Sequence, residues 1–287
     1  MIRVAIIGAT GYTAHESILI LLRHPQAQVT YLTALPEECA PLTEVFPALQ
    51  GRLDLPIEPV DLDKLAGCAD VALCCLPHKV SMSFVPKLLA AGVKVVDFSA
   101  DYRIRDVALY EKVYKVEHTD RENLARAAFG LPELFRQKIV GAALVANPGC
   151  YPTAASLALA PLLKERLIDP ADIYINAVSG VSGAGRKAAL AFHFPEMNDN
   201  LFGYAVGTHR HMPEIEQILT QAAGQPVQVL FQPHVVSMDR GIAESIYCQP
   251  TGKITPAQLT DLYQAFYARE PFVRLLNKPP STKNVAH

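Results

Sequence analysis

The sequence predicts an α/β protein with a doubly wound, Rossmann-like parallel sheet in its first domain and an α+β second domain. Three observations lead to this fold class. A glycine-rich turn joins the first predicted strand to the first helix, strands and helices then alternate to about residue 148, and longer strands mix with helices beyond it. We therefore expect a dinucleotide-binding domain over residues 1–148 and a second domain over residues 149–287.

The composition excludes several classes of protein. Half of the 287 residues are hydrophobic and 19% are charged, which is enough apolar surface for two domain cores. The 26 basic and 28 acidic side chains nearly balance and form no long run of one sign, so we expect a small-molecule substrate and no nucleic-acid or membrane partner. Neither a signal peptide nor a membrane-spanning run is visible, which predicts a cytoplasmic protein. The six cysteines lack metal-like spacing, so we expect reduced thiols and no metal site.

A variant of the dinucleotide fingerprint, G-x-x-G-x-x-A, follows the predicted strand Ile2–Ile7. Gly8 permits the sharp turn, Gly11 lets backbone N–H groups approach a pyrophosphate, and Ala14 permits close packing of the helix that follows. Because the loop stands between a clear strand and a clear helix, we expect it to bind a nucleotide. The other candidate cofactor contacts in this loop are Thr10, Tyr12 and Thr13.

The residues after the second predicted strand, 29–33, leave the choice between NAD and NADP open. An acidic residue at the end of that strand favours NAD and a basic one favours NADP. The strand runs instead into the neutral Leu35, with Glu37 and Glu38 close behind. The stretch that follows, 36–56, has little periodicity and is predicted to be a surface excursion.

Polar residues follow two further predicted strands of the first domain. His78 comes after strand 70–76, where ligands of open α/β sheets gather, although a solvated loop histidine is the alternative. Arg103 follows strand 93–98 and could grip a substrate carboxylate or phosphate with both guanidinium nitrogens, or pair with a neighbouring aspartate at the surface. Residues 106–126 are predicted to form a charged helix.

One thiol stands where a long helix is predicted to begin. Cys150 follows a Pro-Gly pair and precedes Pro152, a residue suited to the first helical turn, and an apolar, helix-like run continues to about residue 163. Backbone N–H groups and the positive end of the helix dipole stabilise a thiolate at such a position and lower the pKa of the cysteine. Cys150 is therefore a candidate nucleophile, and the alternative is a small apolar residue packed in a turn.

Two further polar segments lie in the second domain. The loop 179–187, with Ser182 and Gly183, offers many backbone and hydroxyl donors and could cradle a polar ligand; a flexible connector is the alternative. His209 and His211 stand at the start of a helix predicted to reach about residue 223, and either ring could move a proton near neutral pH. Strands are also predicted over 173–178, 227–236 and 240–247, and a helix over 255–268.

Together these motifs resemble the N-acetyl-gamma-glutamyl-phosphate reductase family, relatives of aspartate-semialdehyde dehydrogenase. The resemblance rests on six segments spread over nearly the whole chain: GATGYT at 8–13, DFSADYR at 97–103, the GLPEL turn, NPGCYPT at 147–153, SGVSGAGRKA at 179–188 and HRHMPEIEQ at 209–217. It implies a semialdehyde-dehydrogenase-like fold whose second domain carries catalytic, substrate-binding and dimerisation residues. It also implies a homo-oligomer, either a dimer or a tetramer.

The resemblance further implies an activity. This is the NADPH-dependent reduction of N-acetyl-L-glutamyl 5-phosphate to the 5-semialdehyde and phosphate, in arginine biosynthesis, through a thioester on Cys150. A histidine of the segment matching His209 to His211 would assist the thiol, and we favour His211. The resemblance places Arg103 and Glu214 at the substrate site, and Arg186 and Asn147 are further candidates there. The candidates for the cofactor are the glycine loop with Ser182 and Gly183.

The alternatives are a sister reductase acting on an aminoadipyl or aspartyl phosphate, a non-catalytic nucleotide-binding regulatory module, and a cysteine hydrolase. The chain departs from the family pattern in three places. Ala14 replaces a usual glycine, Leu35 stands near a position where the family often has an arginine, and the chain ends roughly fifty residues earlier than members usually do. We therefore expect a second domain that is truncated at its C-terminus and a weakened NADP preference.

Overall fold

The computed structural model describes residues 1–285 and divides the chain into two compact units. Residues 286 and 287, at the end of the predicted second domain, lie outside the described residues. The first unit contains Met1–Gly130 and Gln137–Pro148, and the second contains Leu131–Arg136 and the chain from Gly149 onward. The chain therefore passes from one unit to the other three times.

A short segment, Leu131–Arg136, leaves the first unit early and belongs to the second. Leu131 and Phe135 are buried there, and the Arg136 guanidinium donates to the Glu270 carboxylate over 2.5 Å, 134 positions later in the chain. The helix that contains the segment, Pro132–Ile139, is kinked at Phe135, where φ is −130°. The segment is thus held by side chains of a unit whose main part is synthesised after it.

The first unit is built on a seven-stranded sheet in which every strand pair is parallel. The strand order is β3-β2-β1-β4-β5-β7-β6, so the chain starts in the middle of the sheet and winds outward in both directions. This confirms the predicted doubly wound fold. The strands are β1 Ile2–Ile7, β2 Ala27–Ala34, β3 Ile57–Pro59, β4 Val71–Cys74, β5 Lys94–Asp97, β6 Ala128–Phe129 and β7 Leu144–Ala146.

Helices connect these strands, and apolar clusters lie under them. One cluster gathers buried residues of β1, β4 and β5 with α4, and a second gathers β1 and β2 with α1. The α-helices are α1 Tyr12–Leu21, α2 Leu42–Val45, α3 Leu62–Cys68, α4 Ser81–Ala90, α5 Val107–Tyr114, α6 Arg121–Arg126 and α7 Pro132–Ile139, and short 3₁₀ turns cover Pro36–Glu38 and Pro47–Leu49.

Two predictions for this unit are wrong in detail. The stretch 36–56 is not a surface excursion, because Leu42 and Leu49 are fully buried in the cluster that lies against β2. The predicted helix 106–126 is two helices, because Lys115 adopts a left-handed conformation with φ of 53° and ends α5. Asp120 then accepts the backbone N–H of Asn123 and caps α6.

The second unit has a four-stranded mixed sheet in the order β11-β8-β10-β9. The β8 and β10 strands are parallel, whereas β9 and β11 run antiparallel to their neighbours. Its strands are β8 Ile168–Ser179, β9 Leu201–Gly203, β10 Leu230–Val236 and β11 Ile242–Pro250, and its helices are α8 Cys150–Lys164, α9 Phe194–Met197, α10 His211–Ala223 and α11 Pro256–Phe266.

The two faces of this second sheet differ. Buried residues of β8 and β10 form one apolar cluster with α8 and α10. On the other face, Tyr174 of β8 lies between its strand partners Leu230 and Tyr247, and the three side chains are 49%, 55% and 61% exposed. We call these three neighbouring side chains, one from each of three adjacent strands, the exposed row.

The described residues contain neither a membrane-spanning helix nor a cluster of metal-binding side chains. In that part of the chain no helix has the length and apolar character needed to cross a bilayer. Over the same residues, no three His, Cys, Asp or Glu side chains are grouped so that they could hold a metal ion.

Candidate active site

The Cys150 thiol lies at the start of the longest helix of the second unit. Gly149 is the N-cap of α8, with φ of −64° and ψ of 156°, and Cys150 is the first helical residue and is exposed. No acidic residue lies in the first turn, and Pro152 within that turn has no N–H to satisfy. The exposed sulfur therefore stands at the positive end of α8, where a thiolate is stabilised.

A buried carboxylate connects this turn to a second helix. Glu214 is fully buried in the first turn of α10, and its Oε1 accepts the backbone N–H of Gly149 over 2.7 Å. A buried N–H that loses such an acceptor is left unsatisfied, which costs about 1–3 kcal/mol. The N-terminal ends of α8 and α10 are thus joined directly next to Cys150, and this Glu214 carboxylate faces protein rather than solvent.

The two predicted histidines share one aromatic cluster with the residue that follows Cys150. The Tyr151 ring lies 5.7 Å from the His209 ring and 5.7 Å from the His211 ring, centroid to centroid, and the two imidazoles are 4.9 Å apart. Phe231 of β10 contacts both Tyr151 and His209. The structure therefore brings Cys150, Glu214 and the histidine pair together at one end of the second unit.

His209 is held in one neutral form. Its Nδ1 accepts the backbone N–H of His211 over 3.1 Å, which assigns the ring proton to Nε2. Burial, and then the neighbouring Arg210 charge, lowers the pKa of His209 from 6.5 to about 4. His209 is consequently an uncharged imidazole at neutral pH, with its Nε2–H as a hydrogen-bond donor.

Tyr151 has a hydroxyl partner in the same cluster. The hydroxyls of Tyr151 and Tyr204 lie 3.1 Å apart. Burial raises the pKa of both phenols above the ordinary value of 10.0. Both are therefore neutral, and they fix the orientation of the Tyr151 ring against which the histidines pack.

The glycine loop of the first unit has the geometry of a phosphate cradle. Gly8 has φ of +84°, and a Cβ built on it would lie 2.5 Å from the Cys75 carbonyl oxygen, so only glycine fits. Gly11 is the N-cap of α1, and no acidic residue lies in the first turn of that helix. The N-terminus of α1 can therefore receive the pyrophosphate of a dinucleotide, and the residues present fit that group.

The predicted cofactor contacts of this loop differ in exposure and partners. Tyr12 is 44% exposed at the first position of α1, and the Thr13 carbonyl accepts the Ser17 hydroxyl. Thr10 donates its hydroxyl to the Glu38 carboxylate over 3.1 Å. The Glu38 carboxylate, in the segment after β2, is thus hydrogen-bonded to the glycine loop. This contact was not predicted from the sequence.

The Gly-Ser loop of the second unit forms a 3₁₀ turn, Val181–Ala184, rather than an irregular connector. The Ser182 N–H donates to the Asp239 carbonyl over 3.0 Å, and a Cβ on Gly183 would lie 3.2 Å from the Ser179 hydroxyl. Arg186 is exposed beyond this turn. The turn is therefore anchored by backbone hydrogen bonds, which gives it a defined shape.

Arg103 lies in the loop after β5, and Asn147 directly follows the neighbouring strand β7, in the first unit. Arg103 is buried, and its Nη2 donates to the Phe98 carbonyl over 2.7 Å, so the predicted alternative of a surface ion pair is wrong. The Asn147 N–H donates to the Asp97 carbonyl over 2.8 Å. The two predicted substrate residues of this unit thus follow two neighbouring parallel strands, at the carboxyl edge of the sheet where ligands of such folds bind.

The loop after β5 also contains a buried network of hydrogen bonds around Asp97 and Asp101, which was not predicted from the sequence. Asp101 is fully buried and accepts the backbone N–H groups of Lys79 and Met82 and the Tyr110 hydroxyl. Burial raises the pKa of the neighbouring Asp97 to about 6, while Ser99 donates to its carboxylate. The repeated Asp-x-Ser-x-Asp spacing at residues 97, 99 and 101 was the available signal.

Comparisons with known proteins agree with this architecture. The family described as "Semialdehyde dehydrogenase, NAD binding domain" matches residues 3–142, and "Semialdehyde dehydrogenase, dimerisation domain" matches residues 150–287. Among solved structures, an aspartate semialdehyde dehydrogenase with NADP from Candida albicans aligns with a TM-score of 0.67 and 16% identity, over 91% of this chain and 75% of that one. Aspartate semialdehyde dehydrogenase II from Vibrio cholerae aligns with a TM-score of 0.66 and 17% identity, over 91% and 78%. Fold and site thus define an oxidoreductase of the semialdehyde dehydrogenase type.

The most similar relatives narrow this class. A protein of Citrifermentans bemidjiense named N-acetyl-gamma-glutamyl-phosphate reductase is 49% identical, over 99% of this chain and 83% of its own length. A protein of the same name from Rhodopirellula baltica is 44% identical, over 99% and 84%. The chain belongs to the N-acetyl-gamma-glutamyl-phosphate reductase family, and the resemblance seen in its motifs is confirmed.

Proposed function

We propose that this chain catalyses the NADPH-dependent reduction of N-acetyl-L-glutamyl 5-phosphate to N-acetyl-L-glutamate 5-semialdehyde and phosphate, as a step of arginine biosynthesis. The observation that carries the proposal is the exposed Cys150 thiol at the N-terminus of α8, whose N-cap Gly149 is hydrogen-bonded to Glu214 of the helix that begins at His211. Membership of a family whose relatives bear the name of this reaction supports it.

Cys150 is the proposed nucleophile. Its thiolate attacks the acyl carbon of the substrate, the C–O bond to phosphate breaks, and inorganic phosphate leaves, so a thioester forms on the sulfur. The N-terminus of α8 stabilises the thiolate before the attack. A bound NADPH supplies the hydride that reduces the thioester carbonyl. Collapse of the resulting thiohemiacetal releases the semialdehyde and returns the thiolate.

His211 is the proposed proton carrier of these steps. His209 is a poor candidate because its pKa of about 4 keeps it neutral and its Nδ1 is engaged by the His211 N–H. We propose that His209 instead orients the start of α10 and donates from Nε2. Glu214 would serve the substrate site by holding the Gly149 turn in place.

The remaining roles follow the geometry of each unit. The backbone of the glycine loop and the N-terminus of α1 would bind the pyrophosphate, and Arg103 in the loop after β5 would hold an anionic group of the substrate. The full set proposed for the cofactor is Gly8, Thr10, Gly11, Tyr12, Thr13, Ser182 and Gly183. The full set proposed for the substrate is Arg103, Arg186, Glu214 and Asn147.

The reverse reaction provides the test. We expect reduction of NADP⁺ by N-acetylglutamate semialdehyde that depends on inorganic phosphate, with much slower reaction of aspartate semialdehyde and of the aminoadipate analogue. Cys150→Ser should abolish turnover and leave NADP⁺ binding intact, whereas Cys39→Ser, a matched cysteine variant, should retain turnover. In mass spectra, the protein incubated with acyl phosphate but without NADPH should gain one acyl group.

Two results would contradict the proposal. Turnover retained by Cys150→Ser would remove the thiol from the mechanism. Tight binding of NADP⁺ without turnover of any of the three aldehydes would instead support the regulatory-module alternative.

The exposed row supports a homo-oligomer as the assembled form. Tyr174, Leu230 and Tyr247 present apolar surface from a domain whose family is described as a dimerisation domain, and a symmetric partner would bury it. Sedimentation should show a dimer or tetramer, and Tyr174→Lys should lower the association state. An unchanged assembly would exclude this face as the interface.

A cytoplasmic location is also proposed. No disulfide joins any of the six cysteines, all of which lie among the described residues, and the reaction requires the Cys150 thiol in reduced form. Fractionation of cells that express the tagged full chain would test this.

A further inference from the structure

The Asp101 carboxylate, in the loop after β5, is hydrogen-bonded to two other elements of the first unit. Its Oδ1 accepts the Lys79 N–H over 2.7 Å and the Tyr110 hydroxyl over 2.8 Å, and its Oδ2 accepts the Met82 N–H over 3.2 Å. Tyr110 belongs to α5 and Met82 to the first turn of α4, whose N-cap Val80 makes no side-chain cap hydrogen bond. Asp101 therefore supplies, from the next loop, an acceptor that the start of α4 lacks.

The backbone of the same residue is held as firmly as its side chain. The Asp101 N–H donates to the Ser99 hydroxyl over 3.1 Å, and the His118 Nε2 lies 2.7 Å from the Asp101 carbonyl oxygen, to which it donates. The next residue, Tyr102, donates its hydroxyl to the Asp120 carboxylate over 2.6 Å. Two consecutive residues of this loop are thus fixed by hydrogen bonds to residues that come later in the chain.

These two residues are the centre of a turn that ends at Arg103. The Arg103 N–H donates to the Ala100 carbonyl over 3.2 Å, which closes the turn around Asp101 and Tyr102. The Arg103 guanidinium reaches back across the turn, where its Nη2 donates to the Phe98 carbonyl over 2.7 Å, and the residue is only 5% exposed. The direction of the guanidinium therefore depends on the shape of this turn.

A guanidinium binds a carboxylate or phosphate through two parallel hydrogen bonds, and this requires a fixed orientation of its plane. We propose that Asp101 is a positioning residue for Arg103: by fixing the turn, it holds the guanidinium in the orientation that binds an anionic group of the substrate. Asp101 is fully buried, so it acts through Arg103 and does not touch the substrate. This inference rests on the substrate role of Arg103 in the proposed function and deepens it.

The variant Asp101→Asn tests the role with little change of size. In either orientation of the amide, its NH₂ group would face the N–H of Lys79 or that of Met82, so one donor would meet another. Calorimetry with N-acetyl-L-glutamate, a stable analogue with the α-carboxylate of the substrate, measures binding without turnover. We expect about tenfold weaker binding, as for one misaligned charge-assisted hydrogen bond, and in turnover a similar rise of KM with kcat within about threefold.

A double-mutant cycle separates positioning from a purely structural role. In the Arg103→Met background, Asp101→Asn should change the dissociation constant of the analogue by less than about twofold, because the group through which it acts is gone. Tyr110→Phe, which removes one donor to Asp101, is the milder second variant and should weaken binding by about two- to threefold only while Arg103 is present. The control is Asp106→Asn, because this exposed carboxylate caps α5 through the Leu109 N–H and its loss should lower stability without changing binding.

The possible outcomes lead to different conclusions. Unchanged binding in both Asp101→Asn and Tyr110→Phe, or equal weakening with and without Arg103, overturns the inference and leaves the proposed reaction intact. Analogue binding that is no tighter in wild type than in Arg103→Met overturns it together with the substrate role of Arg103. The expected cycle in a protein without phosphate-dependent turnover supports the inference and refutes the proposed reaction alone.

Discussion

Replacing Glu244 by glutamine should stabilise the protein by an amount that grows with pH. Glu244 lies on β11 opposite Ala177 of β8, on the sheet face that forms the apolar cluster with α8 and α10. Both of its carboxylate oxygens are buried and have no hydrogen-bond partner among the described residues. Burial raises the pKa of this carboxyl from 4.5 to about 8.

The direction and size of the effect follow from that difference. Between these two pKa values the folded state keeps a proton that the unfolded chain releases, so stability is greatest below pH 4.5 and falls until about pH 8. At about 1.4 kcal/mol for each pH unit, Glu244 lowers the free energy of unfolding by about 3 kcal/mol at pH 7 and about 5 kcal/mol above pH 8. Glutamine has a similar size and does not ionise, so the free energy of unfolding of the variant does not fall with pH for this reason.

Urea unfolding followed by circular dichroism measures the difference. Wild type, Glu244→Gln and the control Glu165→Gln, an exposed carboxylate, are compared at about pH 5, 7 and 8.5. Groups that titrate in all three proteins cancel in the comparison. A stability difference between Glu244→Gln and wild type that is the same at every pH would refute the reasoning, because it would mean that Glu244 has the same pKa in the folded and unfolded states.

Three further predictions concern the two candidate sites. Glu214→Ala should lower the free energy of unfolding by about 1–3 kcal/mol, because the buried Gly149 N–H loses its acceptor, and urea unfolding beside Glu214→Gln checks this. His209→Asn should make the protein less sensitive to acid. As the pH falls from 6.5 toward 4, His209 gains a proton in the unfolded chain but not in the folded protein, where its pKa is about 4, so wild type loses stability that the variant keeps. The pH midpoints of acid unfolding of the two proteins measure this difference. Gly8→Ala should cost about 1–3 kcal/mol and weaken dinucleotide binding, since φ is +84° and the Cys75 carbonyl is too close, and thermal unfolding with calorimetry would show it.

Local signals predicted the starting points of the reactive elements well. A Pro-Gly pair before Cys150 and an apolar run after it placed the thiol at a helix N-terminus, and α8 begins at that residue. The same kind of signal placed α10 after His209, and it begins at His211. Caps, prolines and apolar periodicity act over a few residues, so sequence alone carries them.

Contacts between distant residues could not be predicted in this way. The hydrogen bond from Gly149 to Glu214 joins residues 65 positions apart, and that from Thr10 to Glu38 joins residues 28 positions apart. Neither has a local pattern, because each depends on how whole elements pack. The burial of Leu42 was missed for the same reason: a four-residue helix is too short to show a period, yet its apolar side chain fills the core beside β2.

The early excursion of Leu131–Arg136 affects how the protein folds during synthesis. These six residues leave the ribosome before the last strand of the first unit, β7, but Arg136 meets its partner Glu270 only after 134 further residues have been made. At the elongation rates of living cells, about 5–20 residues per second, this is a wait of roughly 7–27 seconds, during which Phe135 has no native cover from the unfinished unit. The two apolar side chains of this segment therefore stay uncovered until the second unit has been made, and a cut between the units at residue 148 would separate the segment from the unit that buries it.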